Sequence, residues 1–225
     1  MKKRKPNKRP AVLFDLDNTI THIDTIIPFL SFYAKRRPAR IPRIIGAVLA
    51  SLLAVPRIIS NERMKRIMSS IFRGENADDL ASLGEDFALT VKPLYLPDAL
   101  AAIARHRAKG HILVLVSASY EFYLTHIARD LGFDHVIGSV LWRHGNTITG
   151  TLYGKNCRGN EKVLRLRTER FMTGIDLARS YAYGDSVTDA PMLSLVKNGI
   201  AVNPGTALTR LAASNGYSIV RWERR

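Results

Sequence analysis

At 225 residues and 46% apolar side chains, the chain can bury a full core, as one domain with an insertion or two unequal domains, and is no disordered polymer. A formal net charge of +15 and a pI near 10.3 favour anionic partners (phosphorylated substrates, acidic membrane surfaces or nucleic acid) without choosing among them. The single cysteine, Cys157, excludes an intrachain disulfide, lends no support to an oxidising compartment, and reads as structural.

The chain opens on MKKRKPNKRP, a basic stretch expected to form a flexible arm. The apolar run after it is only AVLF, too short for the core of a signal peptide, so the protein is expected in the cytoplasm. Ala11–Phe14 has the continuous apolar pattern of a strand covered on both faces, and its polar cluster begins where such a strand ends. Ligands of open α/β sheets bind at that edge. Asp15 and Asp17 are close enough to face one site, and crowded carboxylates repel unless a cation or a shared proton compensates. Mg²⁺ is the economical solution. It would let one aspartate attack phosphorus while its neighbour moves protons. An ordinary strand end with an Asx turn is the alternative.

From Asp24 to Val91 the pattern is helical, with no β-rich run. A dense apolar helix containing Ile26, Phe29, Leu30 and Tyr33 is expected to stop at KRRPAR, where Pro38 disfavours continuation. Ile44–Val55 carries no charge and lies between Arg40, Arg43 and Arg57, but is too short to span a bilayer as one straight helix. NERMKRIMSSIFRG follows as a basic amphipathic segment with Met64, Ile67, Met68 and Ile71 at helical spacing. Such a stripe reads first as core.

Beyond Pro97 helices and strands alternate. Asp98–Lys109 reads as a helix ending at Gly110, HILVLVS as a buried strand, and Tyr120–Leu131 as a helix closed by Gly132. A β-hairpin is expected between Gly138 and Tyr153 with HGN at its turn, then a helix from Gly159 or Asn160 to about Met172. SYAYGD and GIAVN read as further strands, DAPMLSLV and TALTRLAAS as helices, and YSIV as a last short strand. The fold class is therefore α/β, a doubly wound parallel sheet with an inserted helical segment.

Three more polar groups fall at strand tips or helix starts. Ser117 and the backbone N–H groups after it could hold a phosphoryl oxygen, capping of the next helix being the competing role. Lys162 lies in a first helical turn, where the macrodipole disfavours a cation unless an anion is bound there; Lys155 is its competitor. Asp185 and Asp189 in GDSVTDAPML can supply a direct Mg²⁺ ligand and a supporting carboxylate.

In this order, FDLDNT, Ser117, Lys162 and YGDSVTDAPML resemble the haloacid dehalogenase superfamily of phosphohydrolases over nearly the whole chain. The resemblance implies Asp15 as nucleophile and Asp17 as general acid/base with its carbonyl on Mg²⁺. Ser117 and Lys162 would clamp the phosphoryl group, and Asp185 would hold the metal with Asp189 behind it. Asn18, Thr19 and Ala118 join the substrate-binding set; Asn18 stands where the family more often has glycine, a turn asparagine tolerates. The insertion is similar to the cap of the phosphoserine phosphatase-like subgroup (subfamily IB), in which Asp24 would read substrate. The hairpin ending in TGTLYG and CRGNEKVLRL look more like bacterial members of the phosphatidylglycerophosphatase C kind.

The implied organisation is an arm at 1–10, a catalytic core at 11–22 and 92–225, and a cap at 23–91. The implied enzyme is a Mg²⁺-dependent phosphomonoesterase acting on a phosphorylated small molecule or lipid headgroup. A phosphatase of a phosphoserine-like metabolite, a phosphotransferase, and a non-catalytic anion or nucleic-acid binder are the alternatives. With neither a zinc-finger spacing nor an RNP-like motif, no specific nucleic acid is expected. The cap is expected to dock on an anionic surface, peripheral to the inner face of the cytoplasmic membrane, or else to pack as a soluble lid.

Overall fold

In the computed structural model, which describes residues 8–52 and 60–223, the apolar run forms strand β1 (Ala11–Phe14) at the centre of a parallel sheet. Residues 1–7 of the basic arm and Leu53–Val55 of the uncharged stretch lie outside the described residues. On one side of β1 lie β2 (Ile112–Tyr120) and β3 (His135–Ser139). A separate hairpin comprises β4 (Leu141–His144) and β5 (Thr147–Leu152). On the other side of β1 lie β6 (Tyr181–Gly184), β7 (Asn198–Val202) and β8 (Ser218–Val220). The order is β3-β2-β1-β6-β7-β8, so the direction of winding reverses between β1 and β6. That switch point is where an open α/β sheet leaves a crevice at its carboxyl edge.

Alternation along the strands sorts the core into two layers. Val12 and Phe14 of β1 and Leu113 and Leu115 of β2 belong to one cluster, packed by α5 (Pro97–Ala108), α6 (Glu121–Leu131) and the helical insertion. Leu13, Val114 and Val116 point the other way, against α7 (Asn160–Thr168), α8 (Ala190–Leu195) and α9 (Thr206–Asn215). Both faces of the central strands are covered, which is why they read as unbroken apolar runs.

The insertion contains α1 (Ile26–Arg36), α2 (Ile41–Leu52), α3 (Asn61–Ser69) and α4 (Ala77–Thr90). Ser60 caps α3 through Arg63 N, and Asn76 caps α4 through the N–H groups of Asp78 and Asp79. Phe29 fixes the insertion to the core: its ring lies 5.1–5.9 Å from Tyr33, Phe72, Phe87, Phe122 and Tyr123, the last two on α6. The hairpin also joins it, since Gly74 N donates to Ile148 O and Ile148 N to Glu75 O, both at 2.8 Å. Among the described residues no helix is long and apolar enough to cross a membrane.

Several elements differ from the sequence expectation. His135–Ser139 is an edge strand of the main sheet, so Gly138 belongs to β3 and the hairpin begins at Leu141. Its polar ends and single pairing partner hid it. The helix after Gly159 stops at Thr168, and Arg170–Gly174 continues as 3-10 turns. Strand β2 runs on past Ser117 to Tyr120, with an irregularity in its pairing after Val116. Within the expected flexible arm, Arg9 is fixed: its N–H donates to Gly174 O and its carbonyl accepts from Asp176 N.

Gly84 lets α4 lie directly on α6. A Cβ there would fall inside the radius of the Phe122 carbonyl oxygen and 2.8 Å from its carbon, whereas a Cβ at Gly46 of α2 meets nothing within 4 Å. Gly84→Ala should therefore cost about 1–3 kcal/mol in urea unfolding. Gly46→Ala should leave stability unchanged or raise it by up to about 1 kcal/mol.

Candidate active site

The parallel register brings the polar groups together. Phe14 pairs with Tyr183 on β6 and with Leu115 on β2, so the residues just past each strand end share one edge. Asp15 begins that edge, its N–H still donating to Tyr183 O at 3.0 Å. Lys162 reaches the same place from the first turn of α7, and Asp189 from the turn after β6.

Lys162 Nζ lies 2.6 Å from Asp15 Oδ1 and 2.7 Å from Asp189 Oδ1, with all three side chains buried. Burial opposes the ammonium charge, but the two carboxylates outweigh it and hold the lysine pKa above its ordinary value. Asp15 is pushed above the usual carboxylate range, chiefly by burial. Asp185 rises to about 7 through burial and the charge of Asp189. One carboxylate oxygen from each of Asp15, Asp185 and Asp189 lies within 4.8 Å of the others. One ammonium for three carboxylates leaves a deficit of positive charge. Hard oxygen donors at this spacing fit Mg²⁺.

Asp17 plays a different part in the geometry. Its Oδ1 accepts from the Thr25 N–H at 2.7 Å and the Thr25 hydroxyl at 2.6 Å, and its Oδ2 accepts from the Ser119 hydroxyl at 2.6 Å. The carboxylate is thus held by two hydroxyls and a backbone N–H and is not part of the acidic cluster. Ser117, expected to touch substrate, is instead wholly buried and outside the cavity lining: it accepts from Ser119 N at 3.0 Å and lies 3.5 Å from Asp17 Oδ2.

Asp15, Asp17, Lys162, Asp185 and Asp189 line one cavity of about 240 Å³, together with Asn18, Asp24, Ala118 and Arg158. Asn18 has the positive φ (59°) that its turn requires. Asp24 stands at the cavity's edge, where its Oδ1 accepts from Ile26 N at the start of α1. Thr19 is a correction: it is fully buried and lines no part of the cavity, its hydroxyl without a partner among the described residues. The turn from Leu16 to Thr19 folds back on itself, with Thr19 N donating to Leu16 O, and carries that side chain inward. Lys155 is exposed, with its carbonyl bound by Arg165, and takes no part. Cys157 is buried, and burial pushes its thiol up to about 11, as suits a structural cysteine.

Sequence reasoning passed over Thr25, Ser119, Arg158 and Lys65. Thr25 follows Asp24 directly, and Ser119 is two residues from Ser117, the only signals available. In the sequence Lys65 of α3 belongs to the basic amphipathic segment NERMKRIMSSIFRG. Its Nζ instead donates to Ala118 O at 2.8 Å and lies 3.5 Å from the centre of the Tyr120 ring. Burial lowers its pKa to about 8 against the opposing pull of Asp17 and Asp24.

Residues 12–194 match the model of the haloacid dehalogenase-like hydrolases. The chain is 31% identical to a probable phosphatase of Mycobacterium tuberculosis, covering 97% of this chain and 77% of the relative. It superposes with a TM-score of 0.83 on the crystal structure of a Bordetella pertussis protein, with 28% identity over 95% of this chain and 98% of the other. A phosphoserine phosphatase solved as a phospho-aspartyl intermediate analogue shares the fold, with a TM-score of 0.64 and 20% identity over 97% and 95% of the two chains.

Removing the shared cation should expose the cost of the buried charges. Lys162→Met should lose about 3–5 kcal/mol of stability at neutral pH, because Asp15 and Asp189 stay buried without a counter-charge. The folded variant, with Asp15 raised above its unfolded value, binds protons more readily than the unfolded chain. The deficit should therefore shrink as pH falls through that raised pKa toward the ordinary carboxylate value. Urea unfolding in chelator at about pH 5 and about pH 8 measures the difference, and an equal or larger loss at the lower pH would contradict the triad's role.

Proposed function

Because this chain belongs to the haloacid dehalogenase-like hydrolases, we propose that it is a Mg²⁺-dependent phosphomonoesterase that works through an aspartyl-phosphate. The observation that carries this reading is Asp15 held by buried Lys162 at the β1–β6 switch point, with Asp185 and Asp189 beside it and Asp17 two residues on. Residues 23–91 would act as a cap over this site, on a core formed by 11–22 and 92–225.

Asp15, Asp185 and the Asp17 carbonyl would hold Mg²⁺, with Asp189 supporting them, and the ion would neutralise charge on the phosphoryl oxygens and the carboxylates. An oxygen of Asp15 attacks phosphorus as the ester P–O bond breaks. The leaving oxygen takes its proton from Asp17. In the second half, water gives a proton to Asp17 and attacks phosphorus, and the bond to Asp15 breaks to release phosphate. Lys162, with the Ala118 backbone at the cavity wall, steadies the transferred group while Ser117 braces Asp17 and Ser119 from behind, because phosphoryl transfer depends mainly on positioning and charge compensation. The phosphoserine phosphatases among the relatives and structural neighbours support a phosphorylated small molecule as substrate. A lipid headgroup at a membrane surface is the second reading, favoured by Ile45 and Leu49, exposed on α2 of the proposed cap.

Asp15→Asn should reduce phosphate release from any ester to background with the fold intact by circular dichroism. Asp17→Asn should slow turnover by about 10²–10⁴-fold yet still accumulate phosphoenzyme from an ester with a good leaving group, since only the proton shuttle is lost. Parental activity in freshly purified Asp15→Asn, or full activity after exhaustive chelation, would overturn the mechanism.

A further inference from the structure

Resting on the phosphomonoesterase reading, we propose that the alcohol released carries a single apolar chain, and that this chain is seated in a second cavity between α1, α2 and α3. This cavity measures about 420 Å³. It shares Asp17, Asp24, Ala118 and Arg158 with the carboxylate pocket, so the two are continuous at the point where a leaving group would depart from phosphorus.

The chemistry of the walls changes across that junction. Beyond it the lining is mainly Ile26, Leu30, Val48, Met64, Met68 and the ring of Tyr123. Three of the polar groups in the lining already have partners, while Asn61, Lys65, Asn156 and Arg158 add a polar portion to it. Tyr123 OH lies 3.4 Å from the Thr25 hydroxyl, Asp24 Oδ1 accepts from Ile26 N, and Ser51 Oγ donates to Ala47 O at 2.7 Å. An amino-acid alcohol seated among Ile26, Leu30, Val48, Met64 and Met68 would lose water there without matching hydrogen bonds. An alkyl chain would lose nothing of that kind, and flexible Met64 and Met68 can adjust to its shape.

Two further observations agree. Ile27 and Val48 line the cavity and are 67% and 37% exposed, and Ile45 and Leu49 extend the apolar surface along α2, so the mouth is open to an amphiphile. At the inner end Lys65 points its ammonium at the junction with a carbonyl and a ring as its described partners, not a carboxylate. A cation so placed complements the charged end of an amphiphilic monoester. The volume falls in the range of a site for one compact ligand, which suits one chain rather than two.

The test measures phosphate release with Mg²⁺ from a series of monomeric n-alkyl phosphates, ethyl to octyl, beside phosphoserine. The value of kcat/KM should climb by about fourfold per methylene until the chain outgrows the cavity, leaving phosphoserine well behind the octyl ester. Leu30→Asn and Met64→Asn should flatten this slope. A flat slope, or phosphoserine turned over as well as the octyl ester, would overturn the proposal while leaving the phosphatase reading intact. Failure to hydrolyse every ester, ethyl phosphate included, would overturn that reading instead. Calorimetric titration with n-alkyl phosphonates then still decides the cavity, since their binding must tighten with chain length in the parent and not in Leu30→Asn. Turnover of a long-chain ester embedded in phosphatidylcholine vesicles would support a membrane lipid as the source of the chain, and turnover of monomeric esters alone would support a soluble amphiphile.

Discussion

A lysine buried between two carboxylates is the interaction on which this structure depends. Lys162 Nζ contacts Asp15 at 2.6 Å and Asp189 at 2.7 Å where all three side chains are buried. Each charge alone would be costly in that place, and together they stand only because each is compensated. The balance is incomplete. Asp185, raised to about 7 by its surroundings, is the carboxylate left over, and this excess is what fits the cluster to a divalent cation.

The triad gathers residues 15, 162 and 189 from three separate parts of the chain, and the sheet provides the means. Parallel pairing places Phe14 opposite Tyr183, so the ends of β1 and β6 coincide at the switch point. Gly184 completes the arrangement: a Cβ there would lie 2.5 Å from that of Asp189, so a side chain at this position would push the carboxylate off the lysine. Backbone register and one missing methyl group thus set the geometry of the charged centre.

The helical insertion is attached in a different way and shapes a different property. Aromatic packing around Phe29 and the close approach at Gly84 hold it to α6, while the hairpin and Lys65 tie its other end to the core. It supplies most of the apolar wall beyond the carboxylates. The charged centre and this wall are therefore built by separate interactions, and in the proposed reading one would constrain the phosphoryl group and the other the alcohol attached to it.

Read alone, the sequence determined the doubly wound sheet and the residues of the charged centre. AVLFD and YAYGD are apolar runs ending in carboxylates, and a strand buried on both faces can leave its polar groups only at the tip. Asn18 could likewise be assigned its turn, because few side chains tolerate positive φ. Local signals did not extend further. Thr19 looked equivalent to its neighbours until the turn carried it inward, and β3 was hidden by its polar ends and single partner. The hydroxyls on Asp17 come from Thr25, eight residues away, and Ser119, 102 residues away, and Lys65 meets Ala118 across 53 residues. Such contacts depend on how α1 and α3 cross the sheet edge. Only tertiary packing decided them, because periodicity tells which face of a helix is buried but not what it is buried against.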